Sequence, residues 1–249
     1  GNTLEDLLGI SENNLPLPDV AGWELKSKRI NAASLTSLIH PEPEPRETSV
    51  VPRVLVPSYG WPHKGAGKKY PRGELSFRMT LSHDRYTDRG FKFEVDRERK
   101  RISVSFNSEQ VDLRHSRLLA TVDSRTGLGQ LKPQPYWPFH SLEEKLANKL
   151  RNTVFVEAAC RRVKGHEQFH YCRIQLLSSF CFDYFLRAAE SGQLKIDFDA
   201  RTSKNHGSKF RIRASALPDL FMTRRVLLDR SAESSDKVHL HDEERVVTS

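Results

Sequence analysis

The sequence predicts a mixed α+β protein, because segments of strand period and segments of helix period follow one another along the chain. Runs such as "GWELKSKRI", "ELSFRMTL", "FKFEVD" and "KFRIR" alternate apolar and polar residues, as a strand with one covered face does. "TLEDLLG", "HSLEEKLANKL" and "SFCFDYFLRAAESG" instead gather their apolar residues at helical spacing. At 249 residues, 37% of them hydrophobic, the chain can bury the core of one large domain.

In chain order, Leu4, Leu7 and Leu8 define a short amphipathic helix, with Asn2 or Thr3 as its cap and Gly9 as its stop. "GWELKSKRI" follows as a strand, with Trp23 and Leu25 expected to face the core and Glu24 and Lys26 the other side. A second strand is expected around "SLTSLI". Six prolines between Pro41 and Pro62, with Pro71 beyond them, predict a loop-rich connection over residues 41–72. From Gly73 to Phe106 three alternating runs separated by turn-like segments predict an antiparallel meander, part of a β-rich subdomain over 73–135. "HSLEEKLANKL" predicts a helix with Ser141 as cap and Glu144 completing a capping box. The next two strands form a hairpin through Lys164-Gly165. A helix ending at Gly192 and two more strands, "QLKIDFDAR" and "SKFRIRA", complete a single domain over residues 1–230. Residues 231–249 are polar and expected to be a mobile tail.

Forty Lys and Arg against 32 Asp and Glu leave a net charge of +8, which favours polyanionic partners without requiring them. No apolar stretch approaches the roughly 20 residues of a membrane helix, and no signal peptide opens the chain, so a soluble, cytoplasmic protein with no membrane partner is expected. Cys160, Cys172 and Cys181 are odd in number, lack zinc-ligand spacing and sit in apolar runs, which makes them expected core thiols.

The chemistry concentrates at "PDVAGWELKSKR". Hydrolysis of a phosphodiester calls for a metal held by carboxylates, and Asp19 and Glu24 can supply them, while a lysine at Lys26 can orient the attacking water. In a strand Glu24 and Lys26 stand side by side; the alternative for the same letters is a solvated strand face. Glu143-Glu144-Lys145 repeats the spacing within a helix, where positions two apart diverge, and is set aside as surface charge. Glu5, on the helix upstream, is a further carboxylate that can reach a metal or its waters, or simply solvate that helix.

A second constellation lies downstream. In "NHGSKFRIR", Lys209, Arg211 and Arg213 share one strand face opposite Phe210 and Ile212, suited to phosphates or guanine edges or simply to solvent, with His206 beside Gly207 able to donate to a base edge or phosphate or to serve only as a loop residue. Asp197 and Asp199 are expected in ion pairs with Arg201 or other nearby cations. Lys64, Lys68, Lys69 and Arg72, with Trp61 and Tyr70 interleaved, suit either a loop that grips a nucleic-acid backbone or groove or a mobile surface loop. Phe91, Phe93, Trp137 and Phe155 are expected core.

Together "GNTLEDLLGISENN", "LPDVAGWELKSKR" and "DFDARTSKNHGSKFRI" resemble the MvaI/BcnI family of restriction endonucleases. The resemblance implies a restriction-endonuclease-like core of the MutH-like branch, with a central mixed sheet flanked by helices. It implies a Mg2+-dependent endonuclease acting on double-stranded DNA as a monomer, nicking the two strands of a short, GC-rich, pseudosymmetric site in succession. Asp19, Glu24 and Lys26 fall on the family's catalytic positions, with Glu5 near the metal; Asp19, Glu24, the Leu25 carbonyl and Glu5 are the implied metal ligands. The implied DNA contacts are His206, Lys209, Arg211 and Arg213, joined by Lys28, Arg29, Lys68 and Lys69. Family members carry a further N-terminal segment before the "TLE" helix, so the expectation is an excised domain or a module of a longer chain, with a cognate DNA methyltransferase as a further partner. A MutH-like strand-nicking repair enzyme and a non-cleaving DNA-binding module are the rival readings. The full Asp19, Glu24, Lys26 set argues against the second, since binding alone has no use for it.

Overall fold

The computed structural model describes residues 2–9, 22–30 and 34–230. The chain forms helix α1 (Asn2–Leu7), strands β1 (Glu24–Arg29) and β2 (Leu35–Ile39), a wide helical turn at Val51–Leu55 that runs into α2 (Val56–Tyr59), and strands β3 (Trp61–Pro62), β4 (Leu75–Leu81), β5 (Arg89–Asp96) and β6 (Arg101–Val111). Then come α3 (Ser116–Thr126), β7 (Tyr136–Pro138), α4 (Phe139–Lys149), β8 (Asn152–Val163), β9 (His166–Phe180), α5 (Phe182–Glu190), β10 (Leu194–Arg201), β11 (Lys204–Arg213) and β12 (Phe221–Asp229). They belong to two compact units, one of Gly1–Thr36, Ala147–Cys181 and Arg213–Ser249, the other of Ser37–Leu146 and Phe182–Ile212.

The first unit is built on a four-stranded sheet in the order β1-β8-β9-β12. β1 runs parallel to β8, with Glu24 opposite Thr153 and Arg29 opposite Ala158, while β9 pairs antiparallel with β8 on one side and β12 on the other. The hairpin turn falls at Lys164-Gly165 as expected, and both residues take positive φ, 49° and 83°, the twist that suits a two-residue turn between right-twisted strands. β12 was not foreseen: Arg224-Arg225 breaks its alternation, and as the sheet's edge it leaves both faces exposed.

The second unit contains a five-stranded sheet, β2-β11-β10-β4-β3, and a three-stranded one, β5-β6-β7. The expected meander is therefore corrected: β4 pairs with β10, and β5 and β6 pair with each other. Phe77 explains the split, since its buried ring meets Phe198 of its own sheet at 5.5 Å and Phe91 of the other at 5.3 Å, both edge-on. Phe91, Phe93 and Trp137 are core here, and Phe155 is core in the first unit.

Three smaller expectations also change. The proline-rich stretch holds nine helical residues, because Pro52 and Pro57 occupy opening positions of their helical pieces, where no donor is lost. α4 starts at Phe139, so Ser141 lies inside its first turn and is no cap. Of the cysteines only Cys172 is buried, while Cys160 is exposed on β8.

Candidate active site

β1 sets Glu24 and Lys26 on one face, and the sheet register extends that face sideways. Glu24 is followed across the strands by Thr153 and Leu177, and Lys26 by Phe155 and Gln175, four residues that are all buried. This is the covered face of the sheet. The expectation that Trp23 and Leu25 face the core is reversed: both are half-exposed and Glu24 retains 1% of its surface. The solvated strand face is excluded for Glu24.

A carboxylate in that position is costly to keep charged without opposite charge nearby. Lys26 Nζ donates to Glu24 Oε1, and Lys149 Nζ, from the last residue of α4, lies 3.6 Å from the same oxygen. Lys149 escaped the reading of the sequence. The only signal was its place three residues before β8, and that matters only once β8 is known to pair with β1. Glu143 and Glu144 stay exposed on α4, as surface charge should.

The next row on this face is ionic from edge to edge. Lys28 lies 3.0 Å from Glu157, Glu157 3.9 Å from Arg173, and Arg173 3.3 Å from Asp229. Gln175 also donates to Glu157, at 3.3 Å. Lys28, expected at DNA, thus has its charge answered within the sheet. Arg29, on the opposite face, donates both terminal nitrogens to Glu167 at 3.0 and 2.8 Å, and its guanidinium covers the Phe169 ring at 5.3 Å. Asp19 lies outside the described residues, and so does the side chain of Glu5.

In the second unit, β11 buries Phe210 and Ile212 and leaves Lys209 and Arg211 half-exposed on the other face. Arg211 donates to Asp197 at 2.7 Å, and Thr80 donates to the second oxygen of that carboxylate at 2.6 Å. Asp199 pairs with Arg78 at 3.3 Å. The expected ion pairs exist with different cations, because Arg201 turns to Glu74, 3.1 Å away. Arg213 closes β11 and is exposed.

His206 owes its position to a β-bulge. Phe198 pairs with Ser208 and Ala200 with Asn205, so His206 and Gly207 together face Asp199 alone. Gly207 takes φ 78°, and a Cβ there would lie 2.5 Å from Glu42 Oε1. Burial pushes the Glu42 carboxyl up, against a hydrogen bond from Asn205 and the charge of Arg46. The Pro41 carbonyl accepts from the Trp137 indole at 3.1 Å and from the Ser208 hydroxyl, which ties the start of the proline-rich segment to the bulge.

The basic loop folds around Tyr70, whose ring meets His63 edge-on at 4.7 Å and the Arg201 guanidinium at 4.3 Å. The Gly65 carbonyl accepts from the backbone of Lys68, Lys69 and Tyr70, leaving both lysine side chains exposed.

No curated protein matches this chain. Among solved structures, a complex of the restriction endonuclease MvaI with its cognate DNA substrate is similar with a TM-score of 0.70, at 23% identity, over 92% of this chain and 87% of that one. MvaI in the absence of DNA is similar with a TM-score of 0.56, at the same identity and coverage. At that identity the likeness concerns the fold, and it bears out the mixed α+β, restriction-endonuclease-like architecture. The sequence pattern of the MvaI/BcnI restriction endonucleases matches residues 1–221, most of the 249, and the chain belongs to the MvaI/BcnI restriction endonuclease family.

Proposed function

We propose that this protein is a Mg2+-dependent type II restriction endonuclease that cuts double-stranded DNA at a short specific site, as a monomer, by successive nicking. The observation that supports the site is the covered Glu24 carboxylate contacted by Lys26 on the strand that carries both. Its donors suit a hard divalent cation in kind: the Glu24 carboxylate and the Leu25 carbonyl both offer oxygen, and burial shields Glu24 from bulk water. As the family resemblance implies, this reading assigns the second carboxylate to Asp19, with Glu5 near the metal. When bound, the cation polarises the scissile phosphate and acidifies a water.

The chain's own groups do the rest. Lys26 leaves its contact with Glu24 to hold the attacking water in line with phosphorus, and one ester P–O bond breaks as the new one forms. Lys149 keeps the shared Glu24 oxygen in place. His206, Lys209, Arg211 and Arg213 on β11, with Lys68 and Lys69 from the loop, bind DNA. The related complex of MvaI with cognate DNA supports that partner. The helices present are not long and apolar enough to cross a membrane, among the described residues.

Plasmid cleavage with Mg2+ tests this. Asp19→Ala and Lys26→Ala should each lower the rate by orders of magnitude, each ~1.4 kcal/mol of lost transition-state stabilisation being tenfold, while DNA affinity persists. Nicked circles appearing before linear product are expected for a monomer. Undiminished cleavage by both variants would sink the assignment.

A further inference from the structure

The β8–β9 hairpin outruns its sheet. β1 ends against Ala158 and β12 ends against Arg173, whereas β8 and β9 stay paired through Ala159–His170, Cys160–Phe169, Arg161–Gln168, Arg162–Glu167 and Val163–His166. Among the described residues no other strand borders these rungs. They form a two-stranded arm about 17 Å long at ~3.4 Å per residue.

Its composition is lopsided. Arg161, Arg162 and Lys164 are all exposed, and Glu167 is the one acidic residue between Ala158 and Cys172. Both oxygens of Glu167 are already engaged by Arg29, so the arm's cations are not neutralised by its own acid. Arg161 is steered by a hydrogen bond of 3.1 Å to Gln168 across the ribbon. By register, Arg161, Gln168, His166 and His170 continue the face that carries Glu24 and Lys26. A two-stranded ribbon also has the width of the major groove.

We infer that this arm is a DNA grip, which holds duplex on the flank of the cut through Arg161, Arg162 and Lys164. The inference rests on the endonuclease reading above and adds a contact surface to it. Along β8, Arg161 stands eight residues beyond Thr153, the partner of Glu24, or about 26 Å. At ~3.4 Å per base pair that places the grip about 8 base pairs from the scissile phosphate. The arm therefore matters for long duplexes and not for short ones.

The salt dependence of binding reads this directly, because each phosphate contact contributes about 0.9 to the slope of log K against log salt. A hairpin-capped duplex of about 6 base pairs, ~20 Å long and too short to span that distance, and a duplex of about 40, both of random sequence and bound in EDTA, need neither cleavage nor a known site. The wild-type slope should be steeper on the long duplex. The triple variant Arg161→Gln, Arg162→Gln, Lys164→Gln should lower that slope by about 2.7 and leave the short-duplex slope unchanged. An unchanged long-duplex slope, or equal losses on both lengths, overturns the grip. A second readout uses the arm's own Cys160, which is exposed. In a Cys181→Ser background, a photo-crosslinker on Cys160 should capture the long duplex, and failure to do so is equally fatal. If plasmid cleavage fails while these results hold, the catalytic assignment falls and the grip stands.

Discussion

Gly207 carries two constraints at once: a backbone angle that L side chains avoid and a carboxylate oxygen where a Cβ would sit. Gly207→Ala should cost about 1 to 3 kcal/mol, and it should move His206 away from its place in the bulge. Thermal unfolding together with a comparison of cleavage at the preferred and at single-mismatch sites checks both. Loss of stability with unchanged discrimination would show that the bulge serves only the fold. At this scale the sequence was informative where neighbours decide the outcome. Glu24 and Lys26 stand together because a strand places alternate residues on one face. Their burial is not written locally, because it comes from Thr153, Phe155, Gln175 and Leu177, contributed by strands more than a hundred residues away. Lys149 is hidden in the sequence for the same reason.

Strand pairing was less legible than the strands themselves. β4, β5 and β6 were each recognised from their period, yet period is silent about partners, and β4 joins β10 across the chain. The hairpin of β8 and β9 was legible, because Lys164-Gly165 is a local signal. Glu74 shows what secures one distant pairing. Only 3% exposed, it lies just before β4 and accepts from the backbone and hydroxyl of Ser203 and from Arg201, where β10 turns into β11. The Ser203 hydroxyl above all, with the Ser203 backbone and Arg201 assisting against burial, holds this carboxyl below its usual value of 4.5. A depressed carboxyl contributes stability that is fully present above the unfolded value and is lost as pH falls through the folded one. Melting temperature should therefore drop on acidification below about pH 4.5, and Glu74→Gln should be less stable at neutral pH with a shallower acid limb. Parallel curves for the two proteins would remove Glu74 from that limb.

For the molecule as a whole, the chain leaves one unit for the other after Thr36, Leu146, Cys181 and Ile212. Glu24 and Leu25 therefore belong to one unit and His206, Lys209 and Arg211 to the other, with Arg213 at the crossing, and neither unit is a contiguous segment that could be cut out at two points. The three tryptophans divide along similar lines. Trp23 adjoins Glu24 and is half-exposed, Trp61 is half-exposed beneath the Arg89 guanidinium at 4.1 Å, and Trp137 is buried with its indole bonded to Pro41. Iodide should quench Trp23 and Trp61 and spare Trp137. In Trp61→Phe the quenchable emission would come from Trp23, and Mn2+ should diminish it only while Glu24 is intact; equal quenching in Glu24→Gln would detach that signal from the carboxylate. The protein thus carries a built-in optical reporter one residue from its candidate metal ligand, and a shielded internal reference in its other unit.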